Sequence, residues 1–265
     1  MDDHLEATRR AVRAGAAVAL DAFRESPDAR TKAHKNDLVS DADRAAQDRV
    51  VETIREESDA PVVGEEDGAR SALPDEGLAW VVDPIDGTAN YLRGIRLWTT
   101  SVAAVRNGEP VAGASALPAV GDEYLAGAEA TTLNGDAVTV SDRSDPETFA
   151  VAVLGWGPRN QRASYAALAE TVVTRCGDMR RLGSMQTSLA LVAAGRLDAA
   201  MTNRRPNPWD SVAGAHLVRR AGGTVTDLEG ERWGHDSDHL VASNGEAHDA
   251  VLEVARDALE RTEGR

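Results

Sequence analysis

Asp83-Pro84-Ile85-Asp86-Gly87-Thr88 is the stretch on which the fold of this chain turns. It follows the apolar run Ala79-Trp80-Val81-Val82, so the pattern predicts a buried strand with Asp83 at its mouth. Pro84 stiffens the turn that follows, and Gly87 lets the backbone bend tightly or approach a ligand. Asp83 and Asp86, three residues apart in such a turn, can face one point. Hard cations such as Mg²⁺ take oxygen ligands, commonly one or two carboxylates completed by carbonyls, water and substrate phosphate. A helix beginning near Gly87 would aim its free N–H groups at the same point, where they suit a phosphate. The plain alternative is a turn, because Asp-Pro and Asp-Gly are common turn dipeptides.

Working outward, Gly64-Glu65-Glu66 also ends a short apolar strand, Pro61-Val62-Val63, and again places carboxylates at a strand terminus. In an acidic chain such a pair is by itself a solvated surface feature. Trp209-Asp210-Ser211-Val212-Ala213-Gly214-Ala215 reads as a helix start, with Asn207 as N-cap and Pro208 as the first helical residue. Asp210 then falls in the first turn, where its bland role is to offset the helix dipole. Lys35-Asn36-Asp37-Leu38-Val39-Ser40-Asp41-Ala42-Asp43 is rich in capping residues and precedes another helix.

The remaining pattern is layered α and β. Helical spacing covers residues 4–23 and begins again near Ser40 or Asp41, running to about Glu57. Short strand-like runs follow at Ala60–Val63, Leu78–Val82, Thr99–Val105, Pro110–Ser115, Asp122–Ala126 and, after the turn Asn134-Gly135-Asp136, Ala137–Val140. Beyond Ser141 strands and helices alternate: strand Phe149–Leu154, helices Arg162–Arg175 and Ser184–Ala194, strand Leu197–Met201, helix Pro208–Arg220, strands Thr224–Thr226 and Leu240–Ser243, and helix Glu246–Glu260. The chain therefore divides near residue 141 into an N-terminal α+β half, 1–141, carrying most of the candidate ligands, and a C-terminal α/β half, 142–265, carrying Asp210.

Composition narrows the function. The chain has 265 residues, 44 acidic against 29 basic, for a net charge of −15, which argues against nucleic-acid wrapping or docking on anionic lipid. Lys32 and Lys35 are its two lysines, and many acids with few lysines suggest a surface suited to high salt. No apolar run is long enough to span a bilayer, the N-terminus lacks a secretion signal, and Cys176 is the single cysteine. A soluble cytoplasmic protein is the expectation. The six histidines fall in no zinc-site spacing.

Taken together and in this order, the motifs resemble the inositol monophosphatase family, which includes related fructose-1,6-bisphosphatases. That family carries a Gly-Glu-Glu element, then Asp-Pro-Ile-Asp-Gly-Thr followed by Asn and an aromatic, here Asn90 and Tyr91, and a C-terminal Trp-Asp-x-Ala-Ala-Gly helix, here Trp209 to Gly214 with Val212 at the first alanine. Asp37 to Ser40 with Asp43, Asn134-Gly135, Gly183-Ser184 and Ala221 to Thr224 look like it too. The resemblance implies a layered α/β sandwich and a Mg²⁺-dependent phosphomonoesterase acting on a small sugar or polyol phosphate. It implies that Glu65, Asp83 and the Ile85 carbonyl bind one Mg²⁺, that Asp83, Asp86 and Asp210 bind a second, and that a third, weaker ion sits near Glu65 and Glu66. Gly87 and Thr88 N–H groups would hold the phosphate, Thr88 and Asp43 would orient and deprotonate the attacking water, and Gly183 and Ser184 would line the polyol side. A homodimer is implied likewise. The chemistry agrees with general physics: phosphoryl transfer is mostly positioning and charge neutralisation, and a carboxylate cluster repels a phosphate dianion unless metal reverses its sign.

Departures bear on the substrate. The inositol phosphatases place a substrate-contacting glutamate seven residues before the Trp-Asp aspartate, and this chain has Asn203 there, followed by Arg204 and Arg205. An amide binds hydroxyls but carries no charge, and the arginines suit either a second phosphate or solvent. Met185 replaces a smaller family residue. Inositol 1-phosphate and fructose 1,6-bisphosphate both fit. The rival readings are a nucleotide 3′-phosphatase of the phosphoadenosine phosphate type, and a non-catalytic binding or regulatory protein on the same fold.

Overall fold

The computed structural model describes residues 3–24, 41–66, 69 and 72–263; the expected Lys35 to Ser40 element lies outside them. Seven strands form the first sheet in sequence order: β1 (Val62–Gly64), β2 (Leu78–Asp86), β3 (Thr99–Arg106), β4 (Glu109–Leu117), β5 (Asp122–Ala126), β6 (Thr131–Leu133) and β7 (Asp136–Val138). β1 runs parallel to β2 and each later pair is antiparallel. The second sheet has the order β11 (Thr224–Thr226), β12 (Leu240–Ser243), β10 (Ala199–Thr202), β8 (Ala150–Val153), β9 (Asp178–Arg180). The helices are α1 (Asp3–Arg24), α2 (Asp41–Arg55), the single turn α3 (Thr88–Tyr91), α4 (Arg162–Arg175), α5 (Met185–Ala193), α6 (Pro208–Arg220) and α7 (His248–Glu263).

Alternation along the strands dictates how these layers stack, because successive side chains leave opposite faces. Trp80, Val82, Val102 and Ala104 point one way and are covered by Val12, Val50 and Ile54 of α1 and α2. Their neighbours Ala79, Val81, Ala103 and Val105 point the other way, into a core shared with Leu189 of α5 and Val212 and Ala215 of α6. That same core takes Ala152, Ala200 and Ala242 from the near face of the second sheet. The far face, through Val151, Val153 and Val241, meets Leu168 and Val172 of α4 and Val251 and Val254 of α7. The result is a five-layer α/β/α/β/α sandwich with α5 and α6 at its centre.

Small residues let the central pair of helices close up. A Cβ at Gly214 of α6 would lie 2.5 Å from Leu189 Cβ and 2.8 Å from Gln186 Oε1. With only hydrogen there, the Gly214 N–H donates to Gln186 Oε1 at 2.8 Å, and Gln186 Nε2 donates to the Trp209 carbonyl at 2.6 Å. Gln186 thus sets the register between the start of α5 and the first turn of α6.

Two local features differ from the sequence pattern. Asp83 to Asp86 do not form a turn beyond the strand: β2 continues through Asp86, with a break in register against β3 between Asp83 and Asp86. Pro84 has no N–H for the ladder, so the strand bulges there, and the freed Pro84 carbonyl accepts from Thr100 Oγ1 at 2.8 Å. β6 and β9, three residues each, lie outside the strand-like runs of the sequence.

We expect Gly214→Ala to cost about 1–3 kcal/mol, the usual range for overpacking a close contact, read as a lower urea midpoint with an unchanged slope. A midpoint within error of the parent protein would show that α5 and α6 can separate freely.

Candidate metal and phosphate site

The bulged end of β2, the start of α5 and the start of α6 bring three carboxylates together. One oxygen from each of Asp83, Asp86 and Asp210 lies within 4.8 Å of the others. Glu65, just past β1, opens onto the same cleft, and Asp43 in the first turn of α2 is buried behind the cluster, where its charge acts on both Glu65 and Asp83. The cleft has a volume of about 360 Å³, and Glu65, Asp86, Asp210, Gly87, Thr88, Gly183 and Ser184 all belong to its wall.

Each carboxylate is held differently. Asp86 Oδ2 accepts 2.6 Å hydrogen bonds from Ser184 Oγ and from the Gln186 backbone N–H. Asp210 Oδ2 accepts from Asn207 Nδ2 at 2.9 Å. Asp83 is 1% exposed, and both its oxygens are buried without a hydrogen-bond partner. A bare buried carboxylate is costly unless something positive sits against it. The donor set of hard oxygens around it, with the orphaned Asp83 at its centre, therefore fits a divalent cation.

Burial and mutual repulsion push all of these groups upward. Asp83 lies well above the usual carboxylate range through burial and then the charges of Glu65, Asp86 and Asp210. Glu65, although open to the cleft, is raised to about 8 by loss of surrounding water and by Asp210, Asp43 and Asp86. Asp86 rises to about 7, burial and Asp210 outweighing the hydrogen bonds from Ser184 and Gln186. Asp210 rises to about 6 by burial, tempered by Asn207.

The backbone beside the cluster is fixed by the same motif. Gly87 has φ 96, a left-handed value that favours glycine, and a Cβ there would meet Ser184 Cβ at 3.1 Å and the Gly183 carbonyl at 3.2 Å. Asn90 Nδ2 donates to the carbonyls of Leu97, at 2.6 Å, and Leu182, at 2.7 Å, fastening α3 to the Gly183 loop. Tyr91 donates its hydroxyl to the Ala19 carbonyl of α1 at 2.9 Å. The N–H groups that open a helical turn have no partner inside it, and those of α3 begin at the cleft wall.

Several expected roles look different in three dimensions. Thr88 Oγ1 donates to the Ile85 carbonyl at 3.1 Å, because the turn of α3 folds the hydroxyl back over the preceding backbone. Ser184 lines the cleft, but its hydroxyl is committed to Asp86, and it caps α5 by accepting from the Thr187 N–H at 3.1 Å. Asn203 is buried and lies outside the cleft wall, its amide donating to Ser164 Oγ of α4 at 2.6 Å. Arg205 pairs with Asp238 on the surface. Asn207 makes no side-chain cap and spends its amide on Asp210 instead. The sequence holds a signal for that pairing: Asn207 stands three residues before Asp210, the spacing that brings side chains together at a helix start. Gln186 and the wall residues Trp156, Tyr165 and Arg181 carry no such signal.

A layered α/β/α/β/α sandwich whose centre collects carboxylates around an unpartnered aspartate is the build of a metal-dependent phosphoric monoester hydrolase. The comparisons with known proteins agree. The sequence profile of the inositol monophosphatase family matches residues 1–260, and the chain belongs to that family. It is 34% identical over 231 residues to a fructose-1,6-bisphosphatase/inositol-1-monophosphatase of Aquifex aeolicus, covering 85% of this chain and 84% of that protein. It is 31% identical to the Nus factor SuhB of Escherichia coli, covering 96% of this chain and 95% of that one. The solved Thermotoga maritima IMPase superposes with a TM-score of 0.87 at 30% identity, over 98% of this chain and 99% of that one. No helix among the described residues is long and apolar enough to cross a membrane.

The raised carboxylates give the metal-free protein a definite pH dependence. Each holds its proton to higher pH folded than unfolded, so the stability linked to those protons is present at low pH and lost as pH climbs through about 6, 7 and 8 for Asp210, Asp86 and Glu65. In EDTA the unfolding temperature should therefore fall from about pH 5 to about pH 8.5, and a divalent cation should restore it most at the upper end. Asp83→Asn, which removes the bare charge, should raise the EDTA value at high pH. A flat EDTA profile would contradict this electrostatic account.

Proposed function

We propose that this chain is a Mg²⁺-dependent phosphatase of small sugar or polyol phosphates, with inositol 1-phosphate and fructose 1,6-bisphosphate as the leading substrates. The observation that carries the reading is Asp83, buried with both oxygens unpartnered among Glu65, Asp86 and Asp210. On this reading Glu65, Asp83, Asp86, Asp210 and the Ile85 carbonyl hold two or three Mg²⁺ ions. When bound, Mg²⁺ supplies the positive charge that offsets the phosphate oxygens and lowers the pKa of water.

The chain's own groups do the rest. Backbone N–H groups at Gly87 and Thr88 hold the phosphate at the opening of α3. With its proton spent on the Ile85 carbonyl, Thr88 Oγ1 presents lone pairs and orients the attacking water as an acceptor. Asp43, buried in the first turn of α2, takes the proton of that water. The water oxygen bonds to phosphorus as the ester P–O bond breaks, and the departing alkoxide is protonated from solvent. Gly183 and Ser184 wall the polyol side, Ser184 by fixing Asp86. Asn203 supports that side indirectly, through its hold on α4.

Magnesium supports this donor set better than softer metals, because every candidate ligand is a hard oxygen. The resemblance also supports a homodimer, and light scattering on the eluted protein checks it. The net charge of −15 supports a small substrate over nucleic acid, and a cytoplasmic setting fits the single cysteine. One comparison favours a second reading: a relative covering nearly the whole chain is named a Nus factor. A regulatory partner on the same fold would coexist with the carboxylate set.

The test is phosphate release from inositol 1-phosphate, fructose 1,6-bisphosphate and phosphoadenosine phosphate, with and without Mg²⁺, at low and high salt. Mg²⁺-dependent release that falls at least ~10³-fold in Asp83→Asn is expected, given what electrostatic stabilisation of transferring phosphoryl groups is worth. No release from any of these by a folded, Mg²⁺-supplied protein would sink the catalytic assignment.

A further inference from the structure

Glutamine is seldom buried outright, because its amide brings donors and an acceptor that all need partners. Gln186 is 0% exposed, in the first turn of α5, and its polar groups are committed in two directions. Its backbone N–H donates to Asp86 Oδ2 at 2.6 Å, beside the bond from Ser184. Its side chain crosses to the neighbouring helix, donating to the Trp209 carbonyl at 2.6 Å and accepting from the Gly214 N–H at 2.8 Å.

Both side-chain contacts flank Asp210. The Trp209 carbonyl and the Asp210 N–H belong to one planar peptide unit, and that N–H donates to the Asn207 carbonyl at 3.2 Å. The plane from which Asp210 departs is therefore held at both ends, by Gln186 and by Asn207. Gly214 follows by about one helical turn, and in a regular helix its N–H faces the Asp210 carbonyl. Here that N–H donates to Gln186 Oε1. One amide thus clasps the first turn of α6 before and after Asp210, while the main chain of the same residue holds Asp86. Among the described residues no hydrogen bond joins Gln186 to Glu65 or to the Ile85 carbonyl, which approach the cleft from β1 and β2.

The clasp opposes a definite force. The charge of Asp210 acts on Asp86, and like charges drive the starts of α5 and α6 apart. The apolar contact between the helices, such as Leu189 against Gly214, is non-directional and tolerates a small slide of one past the other. Two hydrogen bonds from one planar amide do not, because they weaken steeply with angle.

We propose that Gln186 is a positioning residue for one of the bound cations: it fixes Asp210 relative to Asp86, and so sets the affinity of the ion these two carboxylates share, while leaving the ion held by Glu65 and the Ile85 carbonyl alone. The proposal rests on the Mg²⁺ assignment above and divides that ligand set into parts that respond separately. A residue with no contact to metal or substrate then decides how firmly one ion is bound.

Mn²⁺ takes the same hard oxygen ligands, and its EPR signal reports the free ion with no turnover required. Titrated into the full chain, it should fill at least two sites. Gln186→Met keeps an unbranched side chain and removes both polar ends. In that variant one dissociation constant should rise about tenfold, the upper end of what a net hydrogen bond contributes, and the rest should stay as they are. Gly214→Ala, whose Cβ would stand 2.8 Å from Gln186 Oε1, displaces the same amide and should weaken the same ion, so the test survives a Gln186→Met protein that does not fold. Leu189→Val loosens the apolar contact alone and should move no constant. Constants unmoved in both amide variants, all constants weakened together, or an equal loss in Leu189→Val overturns the positioning role and leaves the metal assignment standing. A parent chain that binds no Mn²⁺ overturns both.

Discussion

Like charges are held against one another in the middle of this protein, and most of what surrounds them exists to keep them there. Asp83, Asp86, Asp210 and Glu65 would separate if the backbone allowed it, and held together without metal they keep their protons to higher pH. The scaffold resists in several places at once. The bulge in β2 fixes Asp83 and Asp86 relative to β3, the start of α5 grips Asp86 through Ser184 and Gln186, and Asn207 pins Asp210. The contact between α5 and α6 at Gly214 makes the two grips one rigid unit. Folding free energy is spent on a cluster that destabilises the metal-free fold, the trade expected where a site must be ready before its ligand comes.

The sequence made some of this legible and hid the rest for physical reasons. Helices α4 and α6 and strands β5, β11 and β12 coincide with the bounds their patterns give, because Pro, Gly and charged residues punctuate both ends. Periodicity does not say which sheet face meets which helix. The five-layer order is set by packing between residues more than a hundred positions apart, such as Val81 and Val212 in one core, and the family resemblance anticipated only alternating layers of helix and sheet. At the site, carboxylates could be recognised because their chemistry leaves few other uses for them in that order. The neutral groups could not. Asn207 looks like a cap, Ser184 like a substrate contact and Asn203 like a replacement for a family glutamate; Asn207 bonds to Asp210 three residues on, whereas Ser184 and Asn203 spend their hydrogen bonds on distant neighbours that sequence spacing does not identify.

Charge has two distributions in this molecule, and they serve different ends. Most carboxylates are surface groups, several of them matched by arginines, as in Arg13 with Glu123 and Arg196 with Asp122. Such exposed pairs contribute little to stability. The cleft reverses the arrangement: among the described residues Asp83, Asp86 and Asp210 form no ion pair on one side, and Arg181 forms none on the other. Total charge therefore describes the solubility of the chain, whereas the substrate meets a local dipole across a single groove.

The seven strands of the first sheet follow one another in sequence order, and that has a consequence for how the protein is made. Glu65, Asp83 and Asp86 leave the ribosome early, on a meander whose pairings are all between neighbours. The donors that restrain Asp86 come a hundred residues later, and Asp210 later still. During synthesis the chain passes through a stage with three acids of the site present, Asp83 and Asp86 set only by the β2 bulge against β3. The set of Asp83, Asp86 and Asp210 is thus complete only once α6 has been made.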